Sequence, residues 1–316
     1  MGRRTASKIS DDKESLYIKR SIMGRTQKLA AIIKEGVRNP QKIKKGLKDF
    51  KNQGPEIFKQ RLSASVNYEP GYGRVKKEKL KKIIVERFIF SIVMPVYNVE
   101  IKWLDKAIES IEKQNYKNWE ICIADDCSTK QEVREHLSAM KNSRIKIKLL
   151  EKNQGISGAT NAAAALASGE YILLMDNDDE LAPSALHEFY QKIKKEGSEI
   201  IYSDMDIIDA KGKTRDPLCK PDWSPDLFLS QMYLGHLIGF KKSLFEKVGG
   251  FRGEFNGSQD YDLLLRMTEM TDKIGHVPEI LYHWRDLPSS TAANPESKPY
   301  AQTAGLNAIQ EHLDRV

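Results

Sequence analysis

Three carboxylates crowd together in the segment YILLMDNDDEL, where Asp176, Asp178 and Asp179 follow a run of strand-forming residues. Carboxylates held this close repel one another. Two of them one residue apart, such as Asp176 and Asp178, can bind one hard cation such as Mg²⁺ or Mn²⁺. Acidic residues also favour the first turn of a helix, and a helix is expected to begin near Pro183. The segment therefore predicts a cation site or a helix N-terminus.

Polar clusters follow three other strand-like segments, in MPVYN, ADDCS and YSDMD. Any single cluster could be explained by a turn or a helix cap. Ligands of open α/β sheets, however, bind beyond the carboxyl ends of the strands, so the clusters together indicate a binding edge. The sequence contains neither GxGxxG after the first strand nor GxxxxGK[ST]. A bound nucleotide diphosphate would therefore need a cation to neutralise its charge.

Alternating strands and helices must position these side chains. Apolar runs predict strands in FIFSIVMPV, WEICIAD, IKIKLLE, EYILLMD and SEIIYSDMD. Helical patterns lie between them, in WLDKAIESIEKQ, at about residues 130–140, in ISGATNAAAALAS and in PSALHEFYQKIKKEG. This order predicts an α/β fold, with a mostly parallel, Rossmann-like sheet and helices on both faces.

Charge separates the chain into a basic arm and an acidic body. Residues 1–90 carry 24 basic and 9 acidic side chains, whereas residues 91–316 carry 27 and 35. Short amphipathic patterns predict that residues 1–85 form a basic arm that is mainly helical or partly disordered. Such an arm could contact an anionic membrane surface or a partner. Nucleic acid is not expected, because aromatic residues are not interleaved with the basic ones.

The three cysteines have no metal-ligand spacing and are odd in number, which favours free thiols in a reducing compartment. No apolar run approaches the ~20 residues of a membrane helix, and the N-terminus lacks the apolar core of a secretory signal. The expected location is the cytoplasm, with peripheral contact at the inner face of the cell membrane.

A family resemblance joins these motifs. SIVMPVYN, IADDCS, NQGISGATNAA and ASGEYILLMDNDDEL resemble successive motifs of family 2 glycosyltransferases, which have the GT-A fold, and MDNDD matches their D-x-D element. YSDMDIID, GSQDYDLLLR and ILYHWR are similar to bacterial members that build O-antigen, rhamnan and other surface polysaccharides. The resemblance implies a GT-A domain over residues 86–316. Its nucleotide-binding half covers about 88–180, and its acceptor and catalytic half about 181–316.

By this resemblance, the donor is a UDP-, dTDP- or GDP-sugar. Pro95, Tyr97 and Asp126 are expected to contact its nucleoside. Asp126 would accept the N3–H of a uracil or thymine base, and Tyr97 would stack on the ring. Asp125 would share this contact or hold the turn.

The resemblance also divides the acidic segment between donor and metal. Asp176 is expected near ribose or sugar hydroxyls and, with Asp178, at the bound Mn²⁺ or Mg²⁺. Asp179 would contact the donor sugar or serve as an acid at a helix N-terminus. His283 would be a further metal ligand or a structural residue, and Arg285 would clamp the leaving diphosphate.

In GSQDYDLLLRM, Asp260 matches the position of the family's general base, at the start of a predicted helix. The family often has Glu before this Asp, whereas this chain has Gln259, which leaves Asp262 as a rival base. Either residue could instead cap the helix. For the acceptor, His236 is expected to face its cleft, and Trp223 and Trp284 to line a sugar-binding wall or to pack in the core.

The sequence therefore predicts an inverting, metal-dependent hexosyl- or deoxyhexosyltransferase that moves one sugar to a saccharide or lipid-linked saccharide. One alternative is a non-catalytic nucleotide-sugar-binding or membrane-scaffolding module whose basic arm is the functional part. A second is a nucleotidyltransferase, but that class would need a glycine-rich, basic loop after the first strand, and VYNVEIKW provides none.

Overall fold

The computed structural model describes residues 88–287 and 299–316, so the predicted arm at residues 1–85 lies outside the described residues. The described residues form one nine-stranded mixed sheet with helices on both faces. The strands are β1 (Phe90–Val96), β2 (Trp119–Asp125), β3 (Ile145–Leu149), β4 (Tyr171–Leu174), β5 (Glu180–Leu181), β6 (Ile200–Ile208), β7 (Thr214–Leu218), β8 (Ile238–Lys241) and β9 (Ile274–Arg285). The helices are α1 (Ile101–Glu112), α2 (Gln131–Ala139), α3 (Gly155–Ala164), α4 (Ala185–Glu196), α5 (Pro225–Ser230), α6 (Lys242–Lys247), α7 (Gln259–Thr268) and α8 (Pro299–Arg315), with a 3-10 turn at Gly253–Phe255.

The strands lie in the order β3-β2-β1-β4-β8-β6-β9-β5, and β7 pairs with β6. The five predicted strands are β1, β2, β3, β4 and β6, and the α/β class is confirmed. The sheet is more mixed than expected, because β8 lies antiparallel between β4 and β6 and β5 pairs antiparallel with β9.

Alternating residues of the central strands divide the core between the two faces of the sheet. Phe90, Ile92 and Met94 of β1 pack on one face with α1 and α4, whereas Val93 packs on the other face with α3 and α7. The period of two follows from the pleat of a strand. Strands buried on both faces explain the continuous apolar runs of the sequence.

This topology brings three of the predicted strand ends together. β1 pairs in parallel with β2 on one side and with β4 on the other. Their carboxyl ends therefore meet at one edge, where Tyr97, Asp126 and Asp176 follow β1, β2 and β4.

The cluster YSDMD is different. Asp204 and Asp206 lie within β6 and are buried, so they do not extend the binding edge. Each binds a histidine of the neighbouring strand β9. Asp204 contacts His276 at 2.9 Å, and Asp206 contacts His283 at 2.5 Å. These carboxylates join β6 to β9.

Among the residues described, no helix is long and apolar enough to cross a membrane.

Glu120 joins β2 to its neighbours at a buried position. Its carboxylate accepts hydrogen bonds from the Ser91 hydroxyl at 2.7 Å and from the backbone N–H and hydroxyl of Ser168 at 2.6 and 2.8 Å, and it pairs with Lys146 at 2.7 Å. Burial opposes its ionisation. Lys146 and the hydrogen bonds from Ser168 and Ser91 more than compensate and lower the pKa of Glu120 to about 2.

We expect Glu120→Gln to lower the free energy of unfolding at pH 7 by about 3 kcal/mol, the value of a pKa displacement of this size. The folded-state pKa lies below the unfolded one, so this contribution is complete above about pH 5 and is lost as the pH falls toward 2. Urea denaturation between pH 7 and pH 3 should therefore give a shallower profile for the variant. Glu109→Gln, at an exposed pair with Lys113, is the control and should change little. Profiles of equal slope for wild type and Glu120→Gln would contradict the assignment.

Candidate active site

The nucleoside side of the site is built from the turns after β1 and β2. Tyr97 is 50% exposed, so its ring is available for stacking, while Pro95 is buried and its carbonyl accepts from Asn177 Nδ2 at 2.7 Å. Asn98 Oδ1 accepts the backbone N–H groups of Thr129 and Lys130 at 2.9 and 3.0 Å. The ends of β1, β2 and β4 are thus fixed to one another before any ligand binds.

Asp125 and Asp126 have different surroundings. One carboxylate oxygen of Asp125 pairs with Arg134 at 2.9 Å and accepts the Ser128 N–H at 3.2 Å, so this residue holds the turn. Its other oxygen is buried and has no partner among the described residues. Asp126 accepts the Gln154 N–H at 2.6 Å, which ties it to the start of α3. The contacts of both residues with a nucleoside stay predictions.

The acidic segment forms the turn between β4 and β5. The Asp176 backbone N–H donates to the Tyr282 hydroxyl at 3.2 Å, and the Asp176 carboxylate lies 3.6 Å from His236 Nε2. Burial and the charge of Asp176 raise the pKa of Asp178 to about 6. These two carboxylates form no salt bridge with lysine or arginine in the described part of the chain.

Asp179 and Glu180 do not serve a helix N-terminus, because β5 follows them and α4 begins only at Ala185. Asp179 is fully buried, and its carboxylate accepts the Tyr282 hydroxyl at 2.5 Å and the Arg285 backbone N–H at 2.6 Å. Burial and the nearby carboxylates of Asp176 and Asp178 raise its pKa. Asp179 thus fastens the acidic turn to β9, and its predicted contact with the donor sugar has no support in this packing.

Arg285 is fully buried as well, contrary to its predicted place beside a diphosphate. Its Nε donates to the Asp178 carbonyl at 2.6 Å, its Nη2 pairs with Glu180, and its guanidinium lies 4.4 Å from the centre of the Trp103 ring. The guanidinium therefore holds the acidic turn from behind. Its predicted contact with a leaving diphosphate has no support in this packing.

Asp176 and Asp178 offer a cation two carboxylates but no third protein ligand among the residues that the structure describes. No group of three His, Cys, Asp or Glu side chains that could hold a metal occurs within residues 88–287 and 299–316. The predicted set of Asp176, Asp178 and His283 is therefore not preassembled, and the imidazole of His283 is bound to Asp206. Mg²⁺ commonly takes only one or two carboxylates and fills its remaining positions with water and substrate phosphate. The two crowded carboxylates fit a cation of that kind.

His236 is the histidine that faces the acidic turn. Its ring stacks on Tyr282, with ring centres 5.0 Å apart and planes 17° from parallel. Its Nε2 lies 3.6 Å from the Asp176 carboxylate, and the ring is close enough to Asp178 and Asp260 to oppose the rise of their pKa values. The structure thus places His236, predicted for the acceptor cleft, beside the D-x-D element.

Asp260 lies in the first turn of α7, as predicted, and is half-buried. Burial raises its pKa, His236 opposes that shift and Asp176 adds to it. The carboxamide of Gln259 donates to Asp260 at 3.2 Å and accepts the Gly257 N–H at 2.7 Å. An ionised glutamate at position 259 could not donate this bond. Glutamine therefore suits this position, although the family often has glutamate here.

Asp262, the rival base, is excluded by its partners. It is buried and lies between Arg252 and Arg266, which each form several hydrogen bonds with its carboxylate, one from Arg266 at 2.6 Å. Although burial raises its pKa, the two guanidinium groups more than reverse that effect and lower it. Asp262 therefore organises the start of α7 and is not available to take a proton.

Trp223 and Trp284 pack into different core clusters. Trp223 lies 5.3 Å from Phe228, and Trp284 packs against the opposite cluster. A common sugar-binding wall is not seen. Sequence reasoning missed Lys220 and Tyr282, although Tyr282 lies in the segment ILYHWR, directly before His283.

The strand order and the chemistry of this edge define an α/β protein of the GT-A class. The fold is similar to that of residues 1–349 of TarS from S. aureus in complex with UDP-GlcNAc, with a TM-score of 0.58 and 20% identity over 71% of this chain and 66% of that one. Residues 91–249 match the family model described as glycosyl transferase family 2, and the chain belongs to that family.

Two relatives confirm the resemblance to the surface-polysaccharide members. The chain is 34% identical over 232 residues to the O-antigen biosynthesis protein RfbC of Myxococcus xanthus, covering 72% of this chain and 18% of RfbC. It is 32% identical over 190 residues to the putative colanic acid biosynthesis glycosyl transferase WcaA of Escherichia coli K12, covering 57% of this chain and 66% of WcaA. This chain thus spans less than two thirds of the length of either relative.

The partners of Asp260 and Asp262 predict opposite effects for the same substitution two residues apart. We expect Asp262→Asn to lower the free energy of unfolding by about 3–5 kcal/mol, because it leaves the buried Arg266 guanidinium without its counterion, whereas the partly exposed Arg252 keeps its pair with Glu311. Asp260→Asn should cause no loss, because an ionised carboxylate whose pKa is raised destabilises the folded state. Urea denaturation of both variants at pH 7 measures this difference, and equal losses would contradict the division of roles.

Proposed function

We propose that this chain is an inverting glycosyltransferase domain that moves one sugar from a nucleotide-diphosphate sugar to a saccharide or lipid-linked saccharide during synthesis of a bacterial surface polysaccharide. Family membership supports sugar transfer, and the names of RfbC and WcaA support the polysaccharide context. TarS binds UDP-GlcNAc on a similar fold, which supports a nucleotide-sugar donor.

The observation that carries the proposal is the meeting of Asp260 and the D-x-D element around His236. These residues come from three separate parts of the chain: the end of β4, the loop before β8 and the start of α7. Asp260 interacts with His236 and Asp176 and has no salt bridge with lysine or arginine within the described residues. A carboxylate with a raised pKa is suited to accept a proton near neutral pH.

In the proposed reaction, Tyr97 and Asp126 bind the nucleoside, so that the diphosphate extends toward Asp176 and Asp178. These two residues would hold Mg²⁺ or Mn²⁺, which would neutralise the leaving diphosphate. Asp260 takes the proton of the acceptor hydroxyl as that oxygen attacks the anomeric carbon from the face opposite the leaving group. The bond to the diphosphate oxygen breaks in the same step, which inverts the configuration.

We expect Asp260→Asn to lower the rate of sugar transfer by about 10²–10⁴, the usual contribution of a general base, with little change in donor affinity. Asp178→Ala should weaken the donor binding that depends on metal. The measurement is nucleotide release from UDP-glucose, UDP-GlcNAc, dTDP-rhamnose and GDP-mannose. A thermal-shift titration of the same donors with and without Mn²⁺ reports binding separately.

Glu188→Gln on α4 is a control for the loss of one carboxylate, because it lies in a helix and forms no salt bridge in the described residues. Transfer at the wild-type rate by both Asp260→Asn and Asp178→Ala would refute the assignment. Donor binding without transfer by wild type, with any acceptor, would instead favour the non-catalytic binding module.

For residues 1–85, we propose peripheral attachment to an anionic membrane surface, where lipid-linked acceptors lie. The observation behind it is the excess of 24 basic over 9 acidic side chains in residues 1–90. Each basic residue near such a surface contributes about 1 kcal/mol. We expect the full chain to sediment with phosphatidylserine vesicles, more weakly at high salt, and a chain lacking residues 1–85 to stay in solution. Equal sedimentation of both would reject the attachment.

A further inference from the structure

Lys220 is a buried lysine outside the set of predicted site residues, and it is only 7% exposed. Its ammonium group donates to the carbonyl oxygens of Leu234 and His236, at 2.5 and 2.6 Å. Burial lowers the pKa of Lys220 to about 7, although Asp204 opposes that shift. Burying an ammonium group is costly, and its hydrogen bonds to the two carbonyl oxygens offset part of that cost.

Both carbonyl groups belong to the loop between α5 and β8, residues 231–237. This loop has no regular secondary structure, so its buried carbonyl groups need partners from elsewhere. Gly235 lies between the two bound carbonyls and has a φ of 45°, in the left-handed region that favours glycine. A Cβ at Gly235 would lie 3.8 Å from Lys220 Nζ, an ordinary contact, so the backbone conformation and not a lack of space favours glycine here.

Lys220 is itself fixed to the sheet. Its backbone N–H donates to Asp204 Oδ1 at 2.9 Å, and the same oxygen contacts His276 Nε2 at 2.9 Å. The next residue, Pro221, accepts the Tyr202 hydroxyl at 2.7 Å, and Asp222 contacts His276 Nδ1 at 2.9 Å. The segment that carries Lys220 is therefore attached to β6 and β9. Through its ammonium group, Lys220 connects the loop to these two strands.

Near its end, the loop carries His236, whose ring faces the acidic turn. The His236 carbonyl binds Lys220 while its imidazole stacks on Tyr282 and approaches Asp176 to 3.6 Å. The buried Nδ1 of His236 has no hydrogen-bond partner among the described residues, so no side-chain bond at that atom fixes the ring. The ring position therefore depends on stacking and on the backbone that Lys220 holds.

We propose that Lys220 is a positioning residue of the transferase site, which holds the backbone of residues 234–236 so that the His236 imidazole faces Asp176 and Asp260. This role rests on the proposed function for its catalytic consequence, but the structural part can be tested without any substrate.

The test compares Lys220→Met, which replaces the aliphatic part of the side chain and removes the ammonium group, with Lys242→Met. Lys242 also donates to a loop carbonyl, that of Ala167 at 2.8 Å, but it lies at the opposite end of β4. We expect amide hydrogen exchange in a peptide covering residues 231–237 to become about tenfold faster in Lys220→Met and to be unchanged in Lys242→Met. The NMR resonances of the His236 ring, assigned with His236→Ala, should move only in Lys220→Met.

Rates then test the consequence for transfer. With the donors named above, we expect Lys220→Met to lower kcat by about 10- to 100-fold with donor affinity unchanged, because a small displacement of a site residue is enough for such a loss. Adding Lys220→Met to His236→Ala should cost little more than His236→Ala alone, because both act through the same ring. Additive losses would show that Lys220 does not act through His236.

The outcomes separate the two proposals. Unchanged exchange and unchanged His236 resonances in a folded Lys220→Met protein would overturn the positioning role, whatever the rates. If exchange and resonances change while wild type transfers sugar from none of the four donors, the positioning of the loop stands and the proposed function fails. Circular dichroism and the unfolding temperature show whether Lys220→Met is folded.

Discussion

The hydrogen bonds between β9 and the turn after β4 are the constraint on which this site depends. Three carboxylates within four residues would push that turn open if nothing opposed them. Asp179 is bound by the Tyr282 hydroxyl and by the Arg285 N–H, and the Arg285 guanidinium binds the Asp178 carbonyl from behind. One of the three carboxylates is thereby used to hold the other two at the edge of the sheet.

β9 has this role along most of its length. Its histidines, His276 and His283, are bound by the buried carboxylates Asp204 and Asp206 of β6, which fixes β9 against the sheet. Tyr282, between them, both binds Asp179 and supports the ring of His236. A displacement of β9 would therefore move the acidic turn and His236 together.

The sequence predicted the elements whose signal is local. Apolar runs identified β1, β2, β4 and β6, which are largely buried, and also the half-exposed β3, and the helical pattern located Asp260 at the start of α7. It did not predict β8, a four-residue antiparallel strand whose pairing with β4 and β6 is decided by distant residues.

Partner choice was also hidden from sequence reasoning. The chemistry of Arg285 suits a diphosphate, but only the fold shows that Glu180, the Asp178 carbonyl and Trp103 already surround it. Likewise, nothing local to Lys220 indicates that it binds two carbonyls of a loop more than ten residues further along the chain.

The partners of each carboxylate separate those that support the fold from those that are available for chemistry. Asp262 lies between two guanidinium groups and Asp179 accepts two strong hydrogen bonds, so a ligand would have to displace protein contacts to reach either carboxylate. Asp178 and Asp260, by contrast, are partly buried and have raised pKa values, because the effect of burial is not offset by a guanidinium or ammonium group bound to the carboxylate. Such residues destabilise the folded protein when they are ionised and no ligand is bound. A cation at Asp178 and a proton taken up by Asp260 would each relieve that cost, so the same excess of negative charge that destabilises the fold favours the chemistry proposed for it.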